Sequence, residues 1–163
     1  MATLDNLAAA FAGESQANRK YLAFAKKADA EGFPQIAKLF RAAAAAETVH
    51  AHNHLGIMDG IGDTVVNLNS AIGGETHEFT EMYPGFIKVA EAEGNKKAKW
   101  SFDVANKVEE IHAGLFTEAL AGMSKSAGPD YHVCEVCGNT VLGEAPDKCP
   151  ICGATKEQFM LVS

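Results

Sequence analysis

The chain has 163 residues, a formal net charge of −7 at neutral pH, 47% hydrophobic residues and 21% charged residues. This length allows one ordinary domain plus a small module, and the composition is ordinary for a soluble globular protein. The acidic balance argues against nucleic-acid binding, which needs a basic face. No apolar run approaches the ~20 residues of a membrane span, and the first residues lack the basic segment of a signal peptide. We therefore expect a cytoplasmic protein with neither nucleic-acid nor membrane partners.

Apolar and small residues recur at helical spacing along most of the chain and predict four helices. The predicted helices run from the first residues to about 31, from about 34 to 58, from 67 or 69 to about 93, and from about 96 to 123. Four helices of this length with short loops form a bundle. We predict an all-α four-helix bundle over residues 1–126, followed by a linker and a small β module over residues 127–163.

All four cysteines of the chain lie in two pairs near its end, and each pair is followed by glycine. The pairs are Cys134-x-x-Cys137-Gly and Cys149-x-x-Cys152-Gly, with eleven residues between them. Four thiolates at this spacing are typical of a tetrahedral site for zinc or iron. A segment this short usually needs such a metal to fold. Disulfides are the weaker alternative, because nothing in the sequence indicates secretion.

Seven side chains of the metal-ligand type lie near the middle of the four predicted helices. They are Glu14 in the first helix, Glu47 and His50 in the second, Glu75 and Glu78 in the third, and Glu109 and His112 in the fourth. Residues three apart share a helical face, so each pair can hold one metal. Taken alone, each acid or pair is more often a solvated surface feature. Together they match the carboxylate bundles that bind two iron ions, and this donor set suits iron or manganese and tolerates zinc.

Three further histidines and two tyrosines are weaker candidates. His52 and His77 are expected to face away from the ligand stripes. His54 lies one turn after the ligand histidine of its helix, and the two could form a zinc pair, which we regard as the less favoured alternative. Tyr21 and Tyr83 fit the bundle core, or they donate a phenolic hydrogen bond to a ligand carboxylate.

Five helical motifs together resemble rubrerythrin. They are Phe11-Ala-Gly-Glu14-Ser-Gln-Ala17, Glu47-Thr-Val-His50-Ala, Gly74-Glu75-Thr-His-Glu78, Met82-Tyr83-Pro84 and Glu109-Glu-Ile-His112. The cysteine pairs resemble the rubredoxin-like domain of the same family. The resemblance implies a ferritin-like di-iron bundle and an Fe(Cys)4 site. By motif match, the seven acids and histidines fall on the di-iron ligands of the family, and the two tyrosines fall on those beside the ligands.

The resemblance also implies an activity, the reduction of hydrogen peroxide to water by two iron ions. Electrons are expected to enter through the Fe(Cys)4 site from a redox donor protein, a rubredoxin or a reductase, with NADH as their source. In the family, one iron is implied to exchange His50 for Glu78 between redox states. Two other functions stay open: iron oxidation and storage, and a non-enzymatic protein with zinc at both kinds of site.

The predicted break between the second and third helices is short, and this favours a homodimer. In ferritin-like bundles these helices are parallel and a long crossover joins them. Residues Asp59–Leu68 reach at most ~35 Å, whereas a helix of about 25 residues is itself ~37 Å long. One solution is an exchange, in which the first helical hairpin of one chain packs on the second hairpin of another. The alternative is an unswapped dimer whose frayed helix ends lengthen the connection.

Overall fold

The computed structural model describes residues 2–124 and 128–163. Contacts between residues divide the chain into two compact units, Met1–Gly62 and Asp63–Ser163. The predicted domain boundary between residues 126 and 127 lies outside the described residues and stays a prediction. Among the described residues, no helix is both long and apolar enough to span a bilayer.

The first unit is a helical hairpin of α1 (Ala2–Ala30) and α2 (Pro34–Ile57). Gly32 makes the tight turn with a φ of 81°, which a side chain would disfavour. Proline then begins α2, where a missing amide hydrogen costs nothing. The buried side chains along the hairpin are small. They are Asn18, Ala25, Ala28, Ala37, Ala44 and Ala51. A seam of alanines lets the two helices approach closely.

The second unit contains the other two helical rods. The first rod consists of α3 (Thr64–His77), a π-helical segment (Glu78–Met82) and α4 (Tyr83–Ala92), and the second rod is α5 (Lys96–Ala121). The side chain of Asn95 caps α5 by accepting a hydrogen bond from the amide of Ala98 at 3.1 Å. Valine and alanine side chains are buried in these helices. They are Ala90, Val104, Val108 and Ala113.

Helix α3 begins earlier than the sequence predicted, at Thr64 rather than at residue 67 or 69. The reason is the cap: the carboxylate of Asp63 accepts a hydrogen bond from the amide of Val66 at 2.9 Å. The cap satisfies an amide that would otherwise lack a partner, so the β-branched residues after it are helical. The connection from α2 to α3 is therefore residues 58–63, and not the ten residues that were predicted.

The π-helical segment was not predicted, and Pro84 accounts for it. Proline has no amide hydrogen to donate four residues back, and its ring clashes with the carbonyl there, which belongs to Thr80. The amide of Tyr83 donates instead to the carbonyl of Glu78, five residues earlier. The helix therefore widens by one residue directly after Glu78, where one of the predicted ligands lies.

The cysteine module of the second unit is a three-stranded antiparallel sheet of β1 (Tyr131–Cys134), β2 (Thr140–Leu142) and β3 (Phe159–Val162), in the order β2-β1-β3. The register pairs Val133 with Thr140 and Cys134 with Phe159. The sheet is small, and two of its cysteines, Cys134 and Cys149, are buried at 1% and 3% exposure. The module is therefore organised around the thiols, as the sequence predicted.

Candidate metal centres

The four cysteines converge as the sequence predicted. The Sγ atoms of Cys134 and Cys152 are 3.7 Å apart, and those of Cys137 and Cys149 are 3.6 Å apart. Sulfurs bound at ~2.3 Å around one tetrahedral ion are separated by roughly 3.8 Å. All four cysteines are free. The cluster therefore fits one tetrahedral metal ion.

Both cysteine pairs have the same backbone geometry. The amide of Gly138 donates to the carbonyl of Cys134 at 2.8 Å, and the amide of Gly153 donates to the carbonyl of Cys149 at 2.9 Å. Both glycines have a positive φ, 83° and 80°. A side chain is disfavoured in this conformation, which explains why a glycine follows each pair. The two turns direct the thiols of each pair to the same point.

The pKa values of the cysteine thiols are shifted in different directions. Burial raises the pKa of Cys137 and the pKa of Cys152. Burial also acts to raise the pKa of Cys149, but hydrogen bonds from the amides of Cys152 and Ile151 outweigh it and lower that pKa to about 7. A metal replaces the protons of all four thiols, so metal binding releases protons.

The first helical cluster contains Glu14, Glu47 and His50, whose ligand atoms all lie within 4.8 Å of one another. The Nδ1 atom of His50 is 2.9 Å from Glu47 Oε2 and 3.9 Å from Glu14 Oε1. A hydrogen bond with the Glu47 carboxyl, together with partial burial, raises the pKa of Glu14. Two carboxylates this close favour a shared proton or a bound cation.

Asn18 holds the two helices of this cluster together, a role that the sequence analysis did not assign. Its side-chain amide donates to the carbonyl of Ala44 at 2.7 Å and to the hydroxyl of Thr48 at 2.9 Å. Asn18 lies one turn after Glu14, and Thr48 follows Glu47. The contact therefore fixes the spacing of the two carboxylates. The available signal was a polar residue on an otherwise apolar helix face.

The second cluster contains Glu75, Glu109 and His112, again with ligand atoms within 4.8 Å of one another. The Nδ1 atom of His112 is 2.9 Å from Glu109 Oε2 and 3.8 Å from Glu75 Oε2. Burial, followed by a hydrogen bond with Glu109, raises the pKa of Glu75. The two clusters thus have the same composition and nearly the same distances.

Glu78 lies outside both clusters in the described part of the chain. Burial raises the pKa of Tyr83, and the charges of Glu109, Glu78 and Glu75 raise it further, so its phenol lies near three predicted ligands and stays protonated. The ring of Tyr21 packs in an aromatic cluster on the first hairpin, 6.1 Å from a phenylalanine of α2. Tyr83 fits a role beside the ligands, whereas the contacts of Tyr21 fit a core role.

The three other candidate histidines do not join a metal cluster in the described part of the chain. His77 Nδ1 is 3.5 Å from a carboxylate oxygen of Glu81, one turn later. His54 Nδ1 is buried and has no hydrogen-bond partner among the described residues. His52 lines a surface cleft on the first hairpin.

One contact at the second cluster carries no sequence signal. The hydroxyl of Thr140, at the start of β2, lies 2.9 Å from Nε2 of His112. Twenty-eight residues separate them, and they belong to different elements. No periodicity or motif relates a threonine of the cysteine module to a helix ligand, so only the folded chain reveals the contact.

Comparison with known proteins covers both parts of the chain. A family model described as Rubrerythrin matches residues 5–120, and one described as Rubrerythrin, rubredoxin-like domain matches residues 132–160. Nigerythrin of Nitratidesulfovibrio vulgaris is 39% identical over 171 residues, which cover 96% of this chain and 85% of that protein. Rubrerythrin-2 of Clostridium acetobutylicum is 34% identical over 174 residues, which cover 96% of this chain and 95% of that protein.

Solved structures agree with these matches. Fully reduced, all-ferrous nigerythrin aligns with a TM-score of 0.61 at 37% identity, over 98% of this chain and 86% of that one. The predicted fold class is confirmed, a ferritin-like four-helix bundle followed by a rubredoxin-like β module. The two predicted kinds of metal centre are confirmed as well, a di-iron site and a four-cysteine site.

Proposed function

The chain belongs to the rubrerythrin family of di-iron oxidoreductases, and on this premise we propose that it is a non-haem di-iron peroxidase that reduces hydrogen peroxide to water. One observation carries the proposal. A single chain holds two matched clusters of two glutamates and one histidine together with a cluster of four thiols. Iron storage needs the helical clusters but has no need of a separate thiolate centre. A cytoplasmic location, which keeps thiols reduced, is part of the proposal.

We assign the helical clusters as the ligands of the two iron ions. The seven ligands are Glu14, Glu47, His50, Glu75, Glu78, Glu109 and His112. The six that lie in the clusters are the minimal donor set of a di-iron carboxylate bundle. Glu78 lies outside the clusters, at the start of the π-helical segment. This position supports a role for Glu78 as a seventh ligand that binds only when the iron is oxidised. Anionic oxygen suits ferric iron better than imidazole does.

The reduction of one HOOH to two water molecules consumes two electrons and two protons. The residues of the two clusters would hold two ferrous ions, which would supply the two electrons. The carboxylates of the clusters would balance the charge of those ions. The phenol of Tyr83, kept protonated by its surroundings, can donate a hydrogen bond to a nearby ligand carboxylate. These residues would therefore set the charge and the geometry of the site, and the two protons are taken up from water.

We propose that the four-cysteine centre holds iron and delivers the electrons. A tetrahedral centre with four thiolates has no open position for a substrate, so its role is to relay electrons. Zinc fits the same four sulfurs and would make the module structural. The electron donor is a redox protein, a rubredoxin or a reductase that draws on NADH. A visible absorption spectrum decides between the metals, because ferric iron with four thiolates is coloured and zinc is not.

The proposed assembly is a homodimer in which two chains exchange their first hairpins. Between Ile57 and Thr64 only six residues connect the helices, and these reach roughly 20 Å. A helix of 24 residues, the length of α2, spans about 36 Å. The connection is too short for the long crossover of a ferritin-like bundle. Each di-iron site would then take one cluster from each chain.

The test of the di-iron assignment is Glu47→Ala. The variant should lose at least one of the two helix-bound metal ions, because the alanine removes the carboxylate nearest His50. Peroxidase activity should fall by about 100-fold or more, because loss of a residue that only orients a ligand already costs about 10–100-fold. The matched control is Glu110→Ala, which removes an exposed acid beside the ligand Glu109. Full metal content in Glu47→Ala, measured by elemental analysis, would refute the assignment.

A further inference from the structure

The cysteine module contacts α5 beside the second metal cluster. The hydroxyl of Thr140 lies 2.9 Å from Nε2 of His112. Gly138, in the turn after the first cysteine pair, faces the buried side chain of Val108, and a Cβ atom on this glycine would lie 3.7 Å from Val108 Cγ1. Val108 precedes His112 by one helical turn. The turn of the first cysteine pair therefore packs against the helix that carries the ligand.

The direction of the hydrogen bond follows from the other contact of Thr140. Its hydroxyl also lies 3.1 Å from the carbonyl oxygen of Gly138, to which it donates. A threonine hydroxyl has only one hydrogen, so when Thr140 donates it to Gly138, the Thr140 oxygen can only accept from His112. The Nε2 atom of His112 is then the protonated nitrogen. In this tautomer the lone pair of Nδ1 faces carboxylate oxygens of Glu109 at 2.9 Å and Glu75 at 3.8 Å, and a proton or a cation must lie between these acceptors.

We propose that Thr140 is a positioning residue of the di-iron site, which fixes the ring orientation and the tautomer of His112 so that Nδ1 is the ligand atom. The proposal rests on the proposed function, in which His112 is a ligand. Metal-bound histidines usually donate their second ring nitrogen to an oxygen acceptor, which sets the tautomer. Here the acceptor is a hydroxyl of the other metal module, and it passes the hydrogen bond on to the carbonyl of Gly138.

The two ligand histidines differ in this respect. His112 has 26% of its side chain exposed and has a polar contact at each ring nitrogen. His50 has 53% exposed, and its Nδ1 contacts the carboxylates of Glu47 and Glu14. The contact with Thr140 therefore acts on one of the two metal positions. The packing of the cysteine module on α5 is therefore coupled to metal binding at His112. The coupling runs through the hydrogen bonds from His112 to Thr140 and from Thr140 to Gly138.

The test uses the full-length chain with zinc, which is diamagnetic and suits this donor set, in both kinds of site. Thr140→Val removes the hydroxyl and keeps the shape and strand preference of the side chain. We expect the Nε2 proton of His112, observed by one-bond proton–nitrogen NMR, to exchange faster with solvent in this variant. One of the two helix-bound zinc ions should bind about 10–100-fold more weakly. Thr140→Ser should restore both properties.

Thr117→Val is the matched control. Thr117 lies on the same helix, and its hydroxyl donates to the backbone carbonyl of Ala113 at 2.7 Å. It should leave the His112 signal and both zinc affinities unchanged. Thr140→Ala should give the same losses as Thr140→Val, which separates loss of the hydroxyl from a packing fault in β2. Retention of the zinc held by the four cysteines shows that the module is folded in each variant.

The outcomes separate the two proposals. If the unmodified chain binds two zinc ions in the helices, and Thr140→Val and Thr140→Ala leave the His112 signal and both affinities unchanged, Thr140 has no positioning role. A change of the His112 signal or of a zinc affinity in Thr117→Val alone would also show that Thr140 has no positioning role. If the unmodified chain binds no metal in the helices, the di-iron function itself is overturned. Neither readout depends on peroxidase activity.

Discussion

Each helical cluster holds two glutamates that are close enough to share a proton. The pKa of Glu14 is raised chiefly by its hydrogen bond with Glu47, and that of Glu75 is raised chiefly by burial and then by Glu109. Without a cation, each pair retains a proton to a higher pH than a free glutamate does. A metal ion must displace this proton, so metal affinity should fall as the pH is lowered through the raised pKa values.

Glu75→Gln should therefore have opposite effects on the metal-free and metal-loaded protein. A glutamate with a raised folded-state pKa adds stability below its unfolded pKa, and this stability is lost as pH rises through the folded-state pKa. In the metal-free protein near neutral pH, the glutamine should raise the melting temperature by a few degrees at most, because partial exposure screens the repulsion. The gain should disappear below the unfolded value of 4.5. With metal present, the variant should bind more weakly.

Thermal unfolding in the presence of a chelator, at acid and at neutral pH, measures the melting temperature of the metal-free protein. Metal titration measures the loss of affinity. Glu110→Gln, an exposed acid on α5, is the control and should change neither quantity. Equal melting temperatures of Glu75→Gln and the unmodified chain at neutral pH would show that the carboxylates of the second cluster do not repel each other.

The elements of the second unit adapt to the site in two ways. The π-helical segment between α3 and α4 starts at Glu78. A local irregularity of this kind frequently marks a functional position. The two cysteine turns fold four thiols around one point by repeating one hydrogen bond and one positive-φ glycine. In both cases a single residue type, proline or glycine, imposes the local geometry.

Pro84→Ala should stabilise the protein. Alanine restores an amide that can donate to the carbonyl of Thr80, and it removes the ring clash. The free energy of unfolding should rise, by up to about 3 kcal/mol. Denaturant unfolding measures the gain, and slow hydrogen exchange at the new amide would show that the bond forms. The control is Pro34→Ala at the start of α2, where proline costs the helix nothing. No gain relative to that control would mean that Pro84 does not cause the π segment.

Cys149→Ser should separate electron delivery from peroxide chemistry. The Cys149 thiol, whose pKa is lowered to about 7, is one of the four ligands of the module, and serine oxygen is a poor substitute for thiolate at such a site. Turnover driven by a protein donor should be abolished. Oxidation of the prereduced di-iron site by peroxide should survive for a single turnover, followed by stopped-flow absorbance. Lys148→Ala is the control beside it. Intact donor-driven turnover would mean that the module is structural.

At the scale of the whole molecule, both units expose large apolar side chains. Leu39 and Val49 of α2 are 66% and 57% exposed, and Val89 of α4 and Trp100 of α5 are 56% and 51% exposed. The buried positions of the first hairpin are mainly alanines. Exposed apolar surface of this extent is expected where helices pack against another chain. The exposure and the six-residue connection both favour the proposed exchange of hairpins between two chains.

The exchange predicts complementation between two damaged chains. One chain carries Glu14→Ala and Glu47→Ala, and the other carries Glu75→Ala and Glu109→Ala. After unfolding, mixing and refolding, half of the dimers are mixed, and an exchanged mixed dimer has one intact site. Metal content and activity should recover to about a quarter of the normal value. Each variant refolded alone is the control and should show no recovery. The absence of recovery in the mixture would rule out the exchange.

The sequence by itself determined the kinds of metal site and most of the helices. Spacing within one helix or one turn is local, so Glu47 and His50 share a helix face wherever the helix packs, and the two Cys-x-x-Cys-Gly turns present their thiols in the same way. The helix ends were less certain, because a single side chain, that of Asp63, moved the start of α3 by several residues. The π segment was not predicted, because it arises from the clash of the Pro84 ring with the carbonyl of Thr80. The spacing of apolar residues contains no information about such a clash.

Only the tertiary structure decided which residues meet across elements. It grouped the ligands into two clusters of three, left Glu78 outside them, and brought Thr140 to within 2.9 Å of His112. Such contacts join residues that are far apart in the chain, and their distances depend on how side chains of different elements pack. Local periodicity carries no record of that packing, which explains why the sequence predicted the candidate ligands but not the contact of Thr140 with one of them.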